Sequence, residues 1–508
     1  MNGMAAKRDG ITRLAAVSIV LLVVTIATRA LWWGNPVADT DEQLYSLIGN
    51  GLLHGELPFV DNWDRKPFGL FALYALAHAV FGAGPIAYQL LTALFSLGGA
   101  LILYALAREL VDRLSALAAA VIYLVLLPAY GSHSGQSEAL FVPVMLGALA
   151  LVRDPAHPNA VVRNCAAMLL GGLALQIKYT VLPQCVLIGL WALWSEHRRG
   201  VPLAWLAMHA AVYLALGLLP TALVGLFYLA AGHWDAFVFA NFVSFFDRLP
   251  GTRLPQSFMP LLVPVFGLAL GGVYAALRIR PPADMRSYGL YLLYFLASLA
   301  TVYLPSTVYG YYYAALLAPT LLAALPFLDR RGPLGPAPAA LFVVAALIIL
   351  HPMERFAGSQ KGRASAEALA AAIAPHVNAR ECLWVFDGPT ALYQLTPACR
   401  PSRFVYPDHL NNALETEALG ISQTGEVRRI LATRPAVIVT ADTPFTVQNE
   451  EAKRLVQRTV RRHYAPLAAR KIGKRTIRAW LRRPRSARLS AAAPLTARES
   501  LAASSRST

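Results

Sequence analysis

Long apolar segments recur along the first 350 residues and alternate with short polar loops. Many approach the roughly 20 residues that an α-helix needs to cross the hydrocarbon core of a bilayer. This pattern predicts an all-α polytopic membrane domain with about eleven transmembrane helices. The predicted spans lie near residues 11–33, 86–107, 115–132, 138–152, 165–180, 181–195, 203–230, 257–277, 287–305, 311–328 and 338–351.

A further apolar segment, 68–81, is shorter than a membrane span. If it lies in the interface instead of crossing, the later basic loops fall on the same side as Lys7 and Arg8, as the positive-inside rule prefers. We therefore predict a re-entrant or juxtamembrane helix at 68–81 and a cytoplasmic N-terminus. The first segment could be a signal peptide, but its length and lack of a clear cleavage site favour a membrane helix.

The pattern changes at Pro352, where polar residues become frequent. Short apolar runs at 383–386 and 436–440 predict buried strands, and the segments between them predict helices. We expect a small α/β domain over 352–483, on the external side, after a membrane domain over 1–351. Residues 484–508 are rich in Ser, Ala and Arg and are predicted to be disordered. The predicted helices of the second domain lie at 361–375, 388–396, 424–433 and 447–462.

Composition agrees with a membrane protein, because 56% of the residues are hydrophobic and 14% are charged. The net charge of +17 is explained by topology and a basic tail, and no nucleic-acid motif accompanies it. We therefore expect membrane lipids and no nucleic acid as partners. Cys382 and Cys399 form either a disulfide or two free thiols, and no Cys or His cluster indicates structural zinc.

Charged residues are concentrated in one short loop that follows the first predicted span. Carboxylates so close to a bilayer are costly unless they have a function. Leu44, Leu47 and Ile48 recur at helical spacing, which predicts an amphipathic helix on the membrane. Asp41 and Tyr45 share one face of that helix, so Asp41 is either a helix cap or a functional carboxylate. The charged residues of the loop are Asp39, Asp41, Glu42, Glu56, Asp61, Asp64, Arg65 and Lys66.

Two lysines are candidates for binding an anion. Lys66 precedes Pro67, which restricts its backbone to an extended conformation and places its ammonium group at the membrane edge. It either contacts a phosphate or reaches toward lipid headgroups. Lys178 ends an apolar segment on the external side, where the positive-inside rule disfavours a lysine, so an anionic ligand is expected there.

Other candidates lie at the outer ends of later spans. Glu138 is a second carboxylate on the side of Asp41, or a helix cap, and Gln136 and His133 could line the same cavity. A divalent metal held by His133 and carboxylates is possible, although the spacing is not diagnostic. The tyrosines around Tyr312 form an interfacial belt or line a pocket.

These groups fit the transfer of a sugar from a polyprenyl phosphate. Such a transfer needs a base that takes a proton from the acceptor hydroxyl and cations that stabilise the departing phosphate. It needs no strong acid, because the lipid phosphate leaves as a stable anion.

The layout resembles the GT-C superfamily of integral-membrane glycosyltransferases. It is most similar to protein O-mannosyltransferases, aminoarabinose transferases of lipid A and rhizobial galacturonic acid transferases. The resemblance covers roughly residues 10–350, with a weaker match beyond. The motifs are Asp41-Glu42-x-x-Tyr45, Gly55-Glu56-Leu57-Pro58-Phe59, Asp61-Asn62-Trp63-Asp64-Arg65-Lys66-Pro67, Ser137-Glu138, Gln176-Ile177-Lys178-Tyr179-Thr180 and the aromatic run before Ala318-Pro319.

The resemblance implies that Asp41 is the catalytic base, with Glu42 beside it, and that Glu138 is the second acidic residue of the cavity. It also implies that Lys66 contacts the lipid phosphate. Tyr45, Gln136, Lys178 and Tyr312 are further substrate-binding candidates. Arg65 stands where aminoarabinose transferases have a metal-binding glutamate, which argues against a bound zinc.

The sequence therefore predicts a bacterial inner-membrane glycosyltransferase with its active site on the periplasmic face. It would move a sugar from a polyprenyl-phosphate donor to a hydroxyl of a glycan or lipid, such as lipopolysaccharide. Two alternatives are a transporter or flippase of lipid-linked sugars and a non-catalytic envelope assembly factor. Charges that lie mainly at segment edges and the lack of a clear internal repeat disfavour the transporter.

Overall fold

The computed structural model describes residues 2–251 and 256–484. The segment predicted to be disordered therefore lies, from residue 485 onward, outside the described residues. The chain is a multi-pass membrane protein made of a helical part and a small C-terminal part that contains a β-sheet.

The described part of the chain before Pro352 contains fifteen α-helices. They are α1 (Asn2–Arg29), α2 (Asp41–Leu53), α3 (Phe68–Phe81), α4 (Pro85–Ala107), α5 (Arg113–Ala129), α6 (Ser137–Val152), α7 (Ala160–Leu175), α8 (Leu182–Arg198), α9 (Leu203–Ala230), α10 (Trp234–Val238), α11 (Ser244–Asp247), α12 (Met259–Arg278), α13 (Met285–Tyr303), α14 (Leu317–Leu328) and α15 (Ala337–Leu350). Short 3-10 turns precede α8 at Tyr179–Val181 and α14 at Gly310–Leu316.

Each of the eleven predicted spans coincides with one of these helices, which confirms the helical pattern. Six helical segments in the described residues are long and apolar enough to cross a membrane. The number of eleven crossings therefore stays a prediction. The six segments are Leu14–Trp32, Pro85–Ala107, Leu203–Ala230, Met259–Arg278, Gly310–Leu328 and Ala337–His376.

The segment 68–81 is helical, as predicted, and its 14 residues span about 21 Å at 1.5 Å per residue. It packs against α2, where Gly49 lies against the backbone of Tyr74 and Ala75. The other side of α2 meets the C-terminal part, whose Ala391 donates its N–H to Gln43 Oε1 at 3.0 Å. Most of α2 is therefore buried inside the protein, whereas its spacing predicted a helix on the membrane surface.

The C-terminal part begins with α16 (Pro352–Ile373), one residue after α15. Its sheet has the order β1-β2-β4-β3, in which β1 and β2 are parallel and the other pairs are antiparallel. A disulfide joins Cys382 to Cys399, one of the two states considered from the sequence. The remaining elements are β1 (Leu383–Val385), α17 (Leu392–Leu395), α18 (Pro407–Asn411), α19 (Gln423–Thr433), β2 (Val437–Ala441), α20 (Glu450–His463), β3 (Tyr464–Ile472) and β4 (Arg475–Arg482).

The strands β3 and β4 form a hairpin that the sequence interpretation missed. Their connection is the pair Gly473-Lys474, and Gly473 has a positive φ of 60°. Glycine at the first central position is typical of two-residue hairpin turns, so this signal could have been found. The sheet therefore has four strands instead of the two that were predicted.

Candidate active site

A cavity of about 810 Å³ lies between the helical part and the C-terminal part. The helical part contributes one wall, and the loops and hairpin of the C-terminal part contribute the other. The charged and tyrosine side chains on the first wall are Asp39, Asp41, Tyr45, Asp64, Arg65, Lys66, Lys178, Tyr179, Arg248, Tyr309, Tyr311 and Tyr312. Those on the second wall are Tyr406, Asp408, His409, Glu415, Lys474 and Arg475.

Asp41 opens α2 and faces this cavity. Its two carboxylate oxygens accept hydrogen bonds from three tyrosine hydroxyls: Tyr406 at 2.9 Å to Oδ1, and Tyr311 at 2.7 Å and Tyr45 at 3.3 Å to Oδ2. Thr40, the residue before α2, makes no side-chain capping bond. The hydrogen bonds that the Asp41 carboxylate accepts come from tyrosine hydroxyls and not from the N–H groups of the first helical turn, which favours the functional interpretation over a helix cap. The Asp41 carboxylate thus accepts hydrogen bonds from hydroxyl groups and forms no ion pair with any of the described residues.

Lys66 lies on the same wall as Asp41, with its ammonium nitrogen 5.5 Å from the centre of the Tyr45 ring. Pro67, extended at ψ 149°, then leads directly into α3. Within 2–251 and 256–484, no carboxylate forms an ion pair with Lys66. Its charge is therefore available to a ligand in the cavity.

Two arginines of the helical part share one carboxylate of the C-terminal part. Arg65 makes two hydrogen bonds to Glu415, and Arg248 Nε donates to Glu415 Oε1 at 2.6 Å. Arg248 also donates to the Tyr309 hydroxyl at 2.9 Å. Burial would raise the pKa of Glu415, but the two guanidinium groups lower it to about 2. The trio keeps one excess positive charge at the cavity and joins its two walls.

Asp64 adds a buried carboxylate to the first wall. Its Oδ1 accepts the Arg65 backbone N–H at 2.7 Å, and burial raises the pKa of the carboxyl group despite the nearby charges of Lys66 and Arg65. On the second wall, burial and then the charge of Glu415 raise the pKa of Asp408 to about 7. Near neutral pH, Asp408 therefore offsets the surrounding cations less than a free carboxylate would.

Lys178 and Glu138 form a buried ion pair. The Lys178 side chain is 8% exposed and that of Glu138 is 1% exposed. The ammonium nitrogen also lies 3.6 Å from the centre of the Tyr312 ring, in cation–π geometry. Lys178 and Tyr312 line the cavity, whereas Glu138 stands behind Lys178 and neutralises it.

Glu42 and Gln136 lie behind the wall, outside the cavity lining. Glu42 is fully buried because its position on α2 turns it toward the loop before α6, where it accepts the Gly135 N–H. It also accepts the Asp39 N–H at 3.2 Å, a backward bond at the start of the helix. Burial and the nearby charge of Asp39 raise the pKa of Glu42. Its contacts join α2 to the neighbouring loop.

His133 takes part in the same packing. Its Nε2 donates to the Ala38 carbonyl at 2.8 Å, and burial lowers the pKa of the imidazole to about 4. Asp39 Oδ2 lies 3.9 Å from the same nitrogen. Across the part of the chain that the structure describes, no group of three or more His, Cys, Asp or Glu side chains is arranged to hold a metal ion.

The structure thus brings Asp41, Tyr45, Lys66, Lys178 and Tyr312 of the sequence candidates to one cavity. The sequence interpretation missed the cavity residues that the C-terminal part contributes. Tyr406 and Glu415 reach Asp41 and Arg65 from positions 365 and 350 residues away. No local pattern marks such distant partners.

Part of the sequence and the fold as a whole are similar to known proteins. Residues 65–224 match the family described as dolichyl-phosphate-mannose-protein mannosyltransferase. The fold is similar to that of ArnT from Cupriavidus metallidurans in the apo state, with 16% identity, a TM-score of 0.58, and coverage of 93% of this chain and 98% of that chain. The same protein bound to undecaprenyl phosphate matches with 16% identity, a TM-score of 0.55 and the same coverage.

A more distant structural match is the oligosaccharyltransferase AglB from Archaeoglobus fulgidus in complex with an inhibitory peptide and a dolichol-phosphate. It has 13% identity, a TM-score of 0.45, and coverage of 84% of this chain and 69% of that chain. No curated protein matches the chain by sequence. The resemblance predicted from the sequence motifs is confirmed, because the chain has the fold of the GT-C superfamily of membrane glycosyltransferases.

Proposed function

We propose that this protein is a bacterial inner-membrane glycosyltransferase whose cavity opens on the periplasmic face. It transfers a sugar from a polyprenyl phosphate to a hydroxyl group of an envelope glycan or lipid. The observation that carries this proposal is that one cavity holds the carboxylate of Asp41 and the ammonium group of Lys66, neither of which forms an ion pair among the described residues. A base and a phosphate-binding cation are the two groups that this transfer needs.

Asp41 acts on the acceptor in this mechanism. The acceptor hydroxyl replaces the weakest of the three hydrogen bonds to the carboxylate, that of Tyr45 at 3.3 Å. The hydroxyl proton passes to Asp41 as the acceptor oxygen bonds to the anomeric carbon of the sugar. Tyr311 and Tyr406 keep the carboxylate oriented throughout. The anomeric carbon is attacked from the side opposite the phosphate, so its configuration inverts.

Lys66 and Arg248 act on the leaving group. The bond between the anomeric carbon and the phosphate oxygen breaks, and its electron pair stays on that oxygen. The polyprenyl phosphate then carries an additional negative charge, which fixed cations stabilise more strongly in the transition state than in the ground state. Arg248 is held for this role by Glu415 and Tyr309. The structure of ArnT bound to undecaprenyl phosphate supports a donor of this class for the shared fold.

The experiment is lipid mass spectrometry on a deletion strain and on a strain carrying Asp41→Asn. We expect both strains to lose the same sugar from an envelope glycan or lipid and to accumulate a polyprenyl-phosphate sugar. Glu56→Gln, which changes a carboxylate outside this cavity, is the matched control and should behave as wild type. If the Asp41 variant modifies its envelope normally, the proposed mechanism is wrong.

A further inference from the structure

The second wall of the cavity carries a cation that the mechanism does not use. Lys474 lies at the tip of the β3–β4 hairpin, and its side chain is exposed and lines the cavity. Among the described residues, no carboxylate forms an ion pair with it. The hairpin segment 464–483 contains several arginines and lysines and no Asp or Glu, so its own strands offer no compensating charge.

The hairpin tip is held in a defined position over the cavity. Arg475 forms an ion pair with Asp387, and its Nε donates to the Thr443 carbonyl at 2.9 Å. The Thr476 N–H donates to Asp442 Oδ1 at 3.0 Å, and the Asp442 N–H donates to the Thr476 carbonyl at 3.1 Å. The charge of Arg475 is therefore engaged in positioning, and that of Lys474 is not.

Lys474 and the cations assigned to the donor phosphate belong to different walls of the cavity. The cations assigned to the donor phosphate, Lys66 and Arg248, belong to the helical wall, whereas Lys474 approaches from the C-terminal wall. Asp408, a carboxyl group of that wall, is engaged by Thr446 at 3.1 Å and Asn412 at 3.4 Å. The backbone that carries Lys474 is held in place, and a cation that faces a cavity without an ion-pair partner attracts an anion from solution.

We propose that Lys474 forms a subsite for a negatively charged group of the acceptor, a phosphate or a carboxylate. This inference rests on the proposed function, because it takes the helical wall to be the donor site. The acceptor is accordingly an anionic glycan or glycolipid. Its charged group contacts Lys474 while its hydroxyl group is presented to Asp41 on the opposite wall.

The test uses the full chain in lipid nanodiscs. Undecaprenyl phosphate is first titrated as a probe of the donor site. Glucose 1-phosphate, glucuronic acid and uncharged methyl glucoside are then titrated as acceptor probes, with and without saturating undecaprenyl phosphate. The variants are Lys474→Glu, the conservative Lys474→Arg, and Lys471→Glu. Lys471 is exposed on the same hairpin but does not line the cavity, so it is the matched control.

We expect at least one charged sugar to bind at least tenfold more tightly than methyl glucoside. Lys474→Glu should remove this preference, whereas Lys474→Arg and Lys471→Glu should keep it and undecaprenyl phosphate affinity should stay within threefold. Binding of glucose 1-phosphate alone identifies a phosphate subsite, and binding of glucuronic acid alone identifies a carboxylate subsite.

The inference is overturned if no charged sugar is preferred, if Lys471→Glu has the same effect as Lys474→Glu, or if Lys474→Glu chiefly weakens undecaprenyl phosphate. Failure of the proposed function has a different signature. In that case undecaprenyl phosphate does not bind the wild-type protein, while the sugar titrations without it still report on Lys474.

Discussion

The regions around Asp41 and around Glu138 both hold a carboxylate near the cavity, but they differ in what surrounds it. Asp41 lies on the cavity surface and receives hydrogen bonds from three tyrosine hydroxyls. Glu138 is almost fully buried and is paired with Lys178. The charge of the first is oriented and accessible, whereas the charge of the second is cancelled by its neighbour.

This difference distinguishes two roles that the sequence motifs alone do not separate. A base must be reached by the proton that it takes, so accessibility is a requirement for Asp41. A buried carboxylate with a cationic partner instead fixes that partner in place. We infer that Glu138 positions Lys178, which in turn supports the face of the Tyr312 ring.

The largest expected effect on stability comes from breaking the buried pair. Glu138→Gln leaves the Lys178 ammonium buried without a counter-charge, so the free energy of unfolding should fall by about 3–5 kcal/mol. Thermal unfolding of the purified variant in nanodiscs measures this loss. The double variant Glu138→Gln/Lys178→Met should recover most of it, and Asp41→Asn should cost less than about 1 kcal/mol. A double variant no more stable than the single one would contradict the assignment.

The arginine–Glu415 trio predicts a pH dependence of the contact between the two walls. The pKa of Glu415 falls from 4.5, its ordinary value, to about 2 in the folded protein. Ionised Glu415 therefore contributes fully to the stability of the folded protein above about pH 4.5. This contribution, about 3 kcal/mol in total, is lost as the pH falls toward 2. Pepsin cleavage near residues 406–415, compared at each pH with Glu415→Gln, measures it. If the ratio of the cleavage rates of the wild type and Glu415→Gln does not change between pH 4.5 and 2, this prediction is wrong.

The next effect concerns the two lysines. Lys66→Met should weaken undecaprenyl phosphate binding about tenfold to hundredfold, because a hydrogen bond from a charged group is lost. Lys178, whose charge is neutralised by Glu138, should contribute less to this binding. The double variant Glu138→Gln/Lys178→Met is therefore expected to bind undecaprenyl phosphate with an affinity within threefold of wild type. Titration of undecaprenyl phosphate into both variants in nanodiscs measures this difference in affinity. Equal losses would mean that Lys178 contacts the phosphate as directly as Lys66.

The smallest effects are expected from the tyrosines around Asp41. Tyr311→Phe and Tyr406→Phe each remove one hydrogen bond and should slow transfer about threefold to tenfold. Tyr45→Phe should do less, because its hydroxyl lies 3.3 Å from Asp41. Steady-state transfer rates of the three variants provide the measurement. A Tyr311→Phe variant as inactive as Asp41→Asn would point to the tyrosine as the reacting group.

The sequence predicts the helices and the first wall of the cavity, because both depend on local patterns. Apolar segments mark the membrane helices, and the concentration of charge between Asp39 and Lys66 marks the loop. The partner of Lys178 escaped prediction, because Glu138 lies 40 residues away on another helix. The same holds for Tyr406 and Glu415, whose contacts exist only after the C-terminal part has docked onto the loop.

The central claim is that Asp41 takes the acceptor proton. The most direct measurement is the single-turnover transfer rate of purified Asp41→Asn with the donor and acceptor identified by lipid mass spectrometry, together with its affinity for undecaprenyl phosphate. We predict a rate about a thousandfold below wild type and an affinity within threefold, because general-base catalysis contributes on this order. A rate within tenfold of wild type in the folded variant would contradict the claim.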